Sequence, residues 1–426
     1  MRFIILCLMT TLLLSCGQQQ IENQITDKKD YEAYLASTPS KTTSKYFEIW
    51  NSKIKPDSIQ LLSFGIVGGE YNRFFKNTGD VKYLKKAEKA LKKATDIAGI
   101  GRSGYYSALA RNYISQHRFK EALQMADSAL AVGGNQKSIQ SLLFDVHMEL
   151  GNYDIAKSNL DSLTNMSDFG YLIRQAKWSD YKGDLDTTIR MMEKAKLRAE
   201  SSKNEALILW SYTNLADYYG HAGRIQDSYQ HYLKSLALDY QNAYAKKGIA
   251  WIVFSYENNP EEALRILNAV TKHYKAPDYY LLKAEISEYM GDEKSNLANL
   301  DNYFKELKNT SYGDMYNAYN IDLYLNVTEQ YGKAIALSQK EVDNRPTPES
   351  YSFLAYSLFK NGEVDKAKEL VESYVVNKTF EPAIMFRVAE IYKAAGNMDK
   401  VKEIKKDLVE ASYELGPIMA ADIQAL

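Results

Sequence analysis

Apolar residues recur along most of the chain at intervals of three and four, in paired runs separated by a short polar turn. Leu109, Ala110 and Tyr113 precede Phe119, Ala122, Ala126 and Ala129, and Leu354, Ala355 and Leu358 precede Val364, Ala367, Val371 and Tyr374. That interval places the apolar residues on one face of a helix, so each unit is predicted to be two amphipathic helices joined by a tight turn. Glycine-led dipeptides mark the turns: Gly79-Asp80, Gly151-Asn152, Gly183-Asp184, Gly223-Arg224, Gly291-Asp292, Gly362-Glu363 and Gly396-Asn397. Their separations are 72, 32, 40, 68, 71 and 34 residues. These are one or two units of about 34 residues with occasional insertions, and repetition at that period predicts a solenoid.

The residue types have physical reasons. Ala110, Ala122, Ala355 and Ala367 stand where the two helices of a pair approach most closely, with Tyr, Leu and Phe filling the groove beside them. Glycine ends the first helix because it takes a positive φ without strain. Pro277, Pro346, Pro348 and Pro382 fall at junctions between pairs, where a new helix starts with no hydrogen bond to lose, and Pro260 falls in a turn within a pair.

With these residues the chain resembles the tetratricopeptide repeat family, whose units carry a large and a small residue in the first helix, Gly in the turn, an aromatic after it and small residues in the second helix. The resemblance covers ten units, about 68–102, 103–136, 137–168, 169–208, 209–242, 243–276, 277–314, 315–347, 348–381 and 382–415. Those at 103, 209, 315, 348 and 382 match best. The units at 169 and 277 depart from it, with Gln175 or Lys283 and then Ser179 or Ser287 at usually apolar positions, and the first unit has four extra residues before Ala87. The resemblance implies an all-α fold, a right-handed α-solenoid of about ten helix-turn-helix repeats over 58–415, closed by a capping helix over 416–426.

Before the array, Arg2 and the apolar stretch Phe3 to Leu14 lead to Leu13-Leu14-Ser15-Cys16. Twelve apolar residues make about 18 Å of helix against a bilayer core of roughly 30 Å, so the stretch reads as a removable signal peptide over 1–15. A small residue before Cys16 resembles the lipobox of bacterial lipoproteins, which implies cleavage before Cys16 and attachment of lipid to its thiol. Gly17 and the lack of an acidic run resemble sorting to the outer membrane, facing the periplasm. Residues 16–57 read as a polar tether with one short helix near Asp30 to Leu35 and a lead-in around Ser58 to Phe64.

Charge and chemistry narrow the rest. With 53 Lys+Arg against 54 Asp+Glu in 426 residues, the chain lacks the cationic excess of a nucleic-acid binder. Of two cysteines, Cys7 leaves with the leader, so no disulfide within the mature chain and no cysteine metal cluster is expected. The histidines at 117, 147, 221, 231 and 273 form no metal-ligand spacing, and His117 and His221 near turns read as solvated. Gly99-Ile100-Gly101 and Gly104 read as a loop rather than a phosphate cradle. No enzyme activity, metal or cofactor is expected.

Binding remains. The family places ligands on the first helix of each pair, along a concave groove. Here those positions include Trp210, Tyr244, Trp251, Phe254, Tyr316, Tyr319, Tyr356 and Phe359. They form an aromatic ladder suited to apolar peptide segments and also to sugar rings, or else they fill the core. Three functions follow: a membrane-anchored scaffold docking another envelope protein or one of its extended segments; a glycan-binding component of an outer-membrane uptake system, disfavoured by short connections; and an assembly factor of an envelope complex.

Overall fold

Helix after helix is broken by a single left-handed residue. The computed structural model describes residues 24–36, 42–55, 57 and 59–426, and Cys16 with its leader lies outside them. Helix α1 (Lys28–Tyr31) runs into a 3₁₀ turn (Glu32–Leu35), and α2 (Lys45–Asn51) leans on the first pair. Ten pairs follow: α3 (Leu61–Thr78) with α4 (Lys82–Ile97), α5 (Arg102–Ile114) with α6 (Phe119–Ala131), α7 (Gln136–Glu149) with α8 (Tyr153–Ser162), α9 (Phe169–Tyr181) with α10 (Leu185–Ser202), and α11 (Glu205–His221) with α12 (Ile225–Leu238). Next come α13 (Ala243–Trp251) with α14 (Pro260–Thr271), α15 (Asp278–Tyr289) with α16 (Glu293–Leu307), α17 (Asn317–Asn326) with α18 (Tyr331–Asn344), α19 (Pro348–Lys360) with α20 (Val364–Tyr374), and α21 (Pro382–Ala394) with α22 (Met398–Glu410). The last helix, α23 (Ser412–Ala425), breaks at Gly416, with φ 82° and ψ 165°, ahead of Pro417. No strand occurs among the described residues. The chain is an α-solenoid of helix-turn-helix repeats.

The turns show why the sequence folds this way. Seven of the ten carry glycine at positive φ, from Gly79 at 66° to Gly362 at 89°. In the other three, His117 (57°), Asn258 (52°) and Glu329 (50°) take the same left-handed conformation, which costs a side-chain-bearing residue about 1–2 kcal/mol. The alanines expected at close helix approaches, Ala110, Ala122, Ala355 and Ala367, are all fully buried. Pro260, Pro348 and Pro382 each open a helix, and Pro277 caps α15.

Two features depart from the sequence reading. The first pair begins at Leu61, so the expected lead-in is the first turn of α3 itself. The described part of the expected tether is not a free linker. Residues 24–36 dock in the furrow between the second helices α12 and α14, where Tyr31 and Leu35 join the buried cluster of Tyr229, Ile266 and Leu267. Its polar composition concealed these two anchors.

The solenoid coils tightly enough to touch itself. The turn of the first pair meets the junction of pairs six and seven, where the Lys275 N–H donates to the Thr78 carbonyl at 2.7 Å and Val81 enters the cluster of Ala284, Tyr303 and Tyr312. The second pair reaches the end of pair eight through Lys120 Nζ on the Asp343 carbonyl, 2.8 Å. The third meets Pro346, and the fourth sets Gly183 against the Phe380 ring. The fifth brings His221 Nδ1 to 2.6 Å from Glu414. In each case the middle of one pair meets the chain at the end of the pair about five places on. Successive superhelical turns are therefore stacked edge on edge. A side chain at Gly151 would place Cβ 2.8 Å from the Pro346 carbonyl, so glycine is needed there for the seam as well as for the turn.

Candidate functional site

The stacking decides what becomes of the concave face. With its turns in contact, the inner wall encloses a lumen, and part of it is a cavity of about 730 Å³ between pairs three to five and pairs nine and ten. First helices of successive pairs line this wall, and their charged residues are tied from pair to pair. Arg174 reaches Asp145 at 2.5 Å, Lys177 reaches Glu149 at 2.7 Å, Lys247 reaches Asp278 at 2.7 Å, and Arg387 reaches Asp322 at 3.4 Å. Tyr244 Oη donates to Asp217 at 2.7 Å, and Asp217 also accepts from Tyr232.

Partial desolvation by the surrounding wall pushes the carboxyls of Asp180, Asp217 and Asp322 above the ordinary aspartate range, and Glu285 and the more accessible Glu381 up to about 7. Neighbouring carboxylates add to this at Glu381, where Asp180 and Glu414 face it. For Lys247, burial works against the charge, but Asp278 opposite it prevails and the amine is raised. His221 is depressed by burial and lifted more strongly by its bond to Glu414, to about 9. It stays 39% exposed, as its place near a turn suggests, but it also pairs with Glu414 across the seam.

The aromatic ladder divides. Phe254, Tyr316 and Tyr356 are buried: Phe254 is fully covered in the cluster of pairs five to seven, Tyr316 packs edge-on against Tyr303 and Tyr312, and Tyr356 lies in the cluster of pairs eight to ten with its hydroxyl on Glu390. These three are core rather than groove, because each first helix also packs on the next pair and its aromatic residues fill that contact. Phe359 is half-buried beside Tyr356. Trp251 donates its indole N–H to the Tyr413 carbonyl at 3.1 Å, so the C-terminal helix already occupies its polar edge. Three remain open: Trp210 (37% exposed), Tyr244 (51%) and Tyr319 (42%).

A local distortion positions Trp251. Past it the helix widens into a π-turn over Ile252–Tyr256, a form often found where a side chain must be re-aimed. Trp251 and Ser255 then both donate to the Tyr413 carbonyl, Ser255 at 2.6 Å. Sequence reasoning missed this contact and the charged wall. The signals present were the absence of Gly from that turn and the charged residues on otherwise apolar first helices, such as Asp217, Lys247 and Asp322.

The outer wall holds the best-defined recognition geometry, the docking of residues 24–36. The buried Glu257 carboxylate accepts the backbone N–H groups of Ile25 (2.8 Å) and Thr26 (2.6 Å), and the Thr26 hydroxyl at 2.9 Å. Buried Glu262 accepts from the Tyr31 hydroxyl at 2.8 Å and pairs with Lys28 and Arg265, at 2.9 and 2.8 Å. Burial alone would raise the Glu262 carboxyl, but these partners prevail and hold it at about 2. Tyr229 donates to Asp30 at 3.0 Å. Unsatisfied carboxylates in such positions are costly, which is why the segment is held in place.

No family model matches the chain, and no curated protein matches it. Solved structures do. A tetratricopeptide repeat protein from Parabacteroides merdae ATCC 43184 is 16% identical over 55% of this chain and 93% of its own, with a TM-score of 0.39. Yeast Tom70 is 12% identical over 86% of this chain and 96% of its own, with a TM-score of 0.36. The Cut9–Hcn1 hetero-tetramer of APC/C gives 12% identity over 94% of this chain and 98% of the matched one, with a TM-score of 0.34. Superpositions at this level are partial, and the architecture rests on the helix pairs themselves. Among the described residues no group of three or more His, Cys, Asp or Glu is placed to hold a metal, and no helix is long and apolar enough to cross a membrane.

Proposed function

We propose that this protein is a non-enzymatic scaffold of the bacterial envelope, anchored through lipid on Cys16 to the periplasmic face of the outer membrane, and that it holds extended segments of a partner protein. The observation that carries the reading is the docking of residues 24–36, in which the helical array grips a polypeptide through backbone N–H groups, a tyrosine and a leucine. The same physics suits a partner segment: fixed acceptors satisfy its main chain and apolar pockets select its side chains.

The inner wall offers the matching surface for a partner in trans. Tyr244 and Tyr319 are open near the ion pair of Lys247 with Asp278, and Trp210, edge-on to Phe169, is open as well. Such a wall fits a segment that carries both charged and aromatic groups.

The test is a crosslinking pull-down from native membranes, comparing the full-length lipoprotein with a variant changed at Trp210→Ala, Tyr244→Ala and Tyr319→Ala. Loss of one specific envelope protein from the variant supports the reading. An unchanged set of partners would remove the inner wall from it.

A further inference from the structure

The docked segment also fixes where the anchor leaves the solenoid. Resting on the lipidation of Cys16 proposed above, we infer that residues 24–36 act as a strap that turns the outer wall of pairs five and six toward the membrane, so that the bilayer surface is the partner of that wall.

The length of chain between anchor and strap limits the orientation. Nine backbone steps lead from Cys16 to Ile25, the first residue bonded to the wall. Fully extended, they reach at most roughly 32 Å. Were residues 24–36 free, the first solenoid-bound residue would be near Lys45, and 29 residues would reach roughly 100 Å, leaving the solenoid free to turn in any direction. Docking shortens the leash more than threefold and moves its origin from the solenoid's N-terminal end to its middle.

The strap is built to stay. Glu257 is 3% exposed, and the hydrogen bonds to Ile25 and Thr26 all run to its two oxygens. Tyr31 is 1% exposed. Arg265 closes over the far end, bonding Glu32 at 2.6 and 3.1 Å. Release would take from Glu257 all three of these hydrogen bonds and leave Glu262 with Arg265 alone.

The orientation has an opposite pole. Because the middle of one pair meets the chain about five pairs on, half a superhelical turn is close to three pairs, and pair nine faces away from pair six. Asn268 on α14, beside the strap, should therefore lie near the bilayer and Glu369 on α20 far from it.

The experiment couples the chain from Cys16 onward, through that thiol, to a maleimide lipid in phosphatidylcholine vesicles that contain headgroup-nitroxide lipid. A fluorophore is placed at Asn268 or at Glu369 through a non-thiol label. The inference requires quenching at Asn268 about threefold stronger than at Glu369, because the leash of roughly 32 Å leaves little freedom. In the double variant Tyr31→Ala and Leu35→Ala, with helical content verified by circular dichroism, the ratio should fall to near one. Glu257→Gln, which preserves shape and removes the charge on the backbone N–H groups, should lower the ratio partly. Equal quenching at both positions in the unaltered chain, or a ratio that ignores all three substitutions, overturns it. The mass of the N-terminal peptide from native membranes tests lipidation separately: an unmodified Cys16 would overturn the anchor and with it the orientation in the cell, while the vesicle ratio still reports whether the strap directs the chain.

Discussion

At the scale of single residues, the decisive position in each repeat is the one that turns the chain. Where it is Gly, the turn is plain in the sequence; where it is His117, Asn258 or Glu329, the same φ is reached at a cost, and the repeat is visible only from the apolar positions around it. Glu329 is exposed, so Glu329→Gly removes about 1–2 kcal/mol of left-handed strain while adding about 0.5–1 kcal/mol of chain entropy. The net expectation is a gain of about 0.5 kcal/mol, read as a higher urea midpoint with an unchanged slope; a lower midpoint would contradict it. The ladder shows the limit of legibility. Tyrosine suits core and surface equally, so spacing alone could not separate Phe254 and Tyr316 from Tyr244 and Tyr319. Phe254→Ala should cost about 3–5 kcal/mol by opening a cavity. Tyr319→Ala, at a water-accessible site, should cost less than about 1 kcal/mol, and chemical denaturation of the two variants distinguishes the sites.

At the scale of elements, pairs pack as their alanines dictate, and helix boundaries follow prolines and turns. The contacts between distant elements were not legible, because nothing local in Ser412–Ala425 announces that Tyr413 will accept from Trp251 and Ser255, or that Glu414 will meet His221. These seam contacts make stability depend on pH in a specific way. Glu381, on the loop before α21, is solvent-accessible on the cavity wall near Asp180, Glu414, Glu349 and His221, and partial desolvation there with the nearby carboxylates raises its pKa to about 7 against an ordinary 4.5. A carboxyl raised on folding holds its proton more tightly in the folded state, so its contribution is full below pH 4.5 and is lost as pH rises through about 7. Glu381→Gln should leave the unfolding temperature nearly unchanged at low pH and raise it above pH 7, flattening the pH profile. An equal shift at both ends would contradict this assignment.

At the scale of the whole molecule, the number and order of repeats were legible, whereas the curvature that stacks them was not. Curvature is the sum of small rotations at ten interfaces, and no single residue encodes it. Its consequence is large: the open groove expected from the repeats becomes a lumen walled by Lys177, Glu149, Lys247 and Asp278, and the best-defined peptide contact lies on the outer wall. The lumen therefore depends on the contact between superhelical turns. The direct measurement is crosslinking by a short bis-maleimide in a Cys16→Ser background, with cysteine pairs introduced by His221→Cys with Glu414→Cys at one seam and Glu149→Cys with Arg345→Cys at the other. Rapid intramolecular crosslinking at both seams, in a chain that remains monomeric on a denaturing gel, is the predicted result. Absence of crosslinking at both, with the cysteines reactive and the helices intact, would mean that the turns stand apart and that the groove is open.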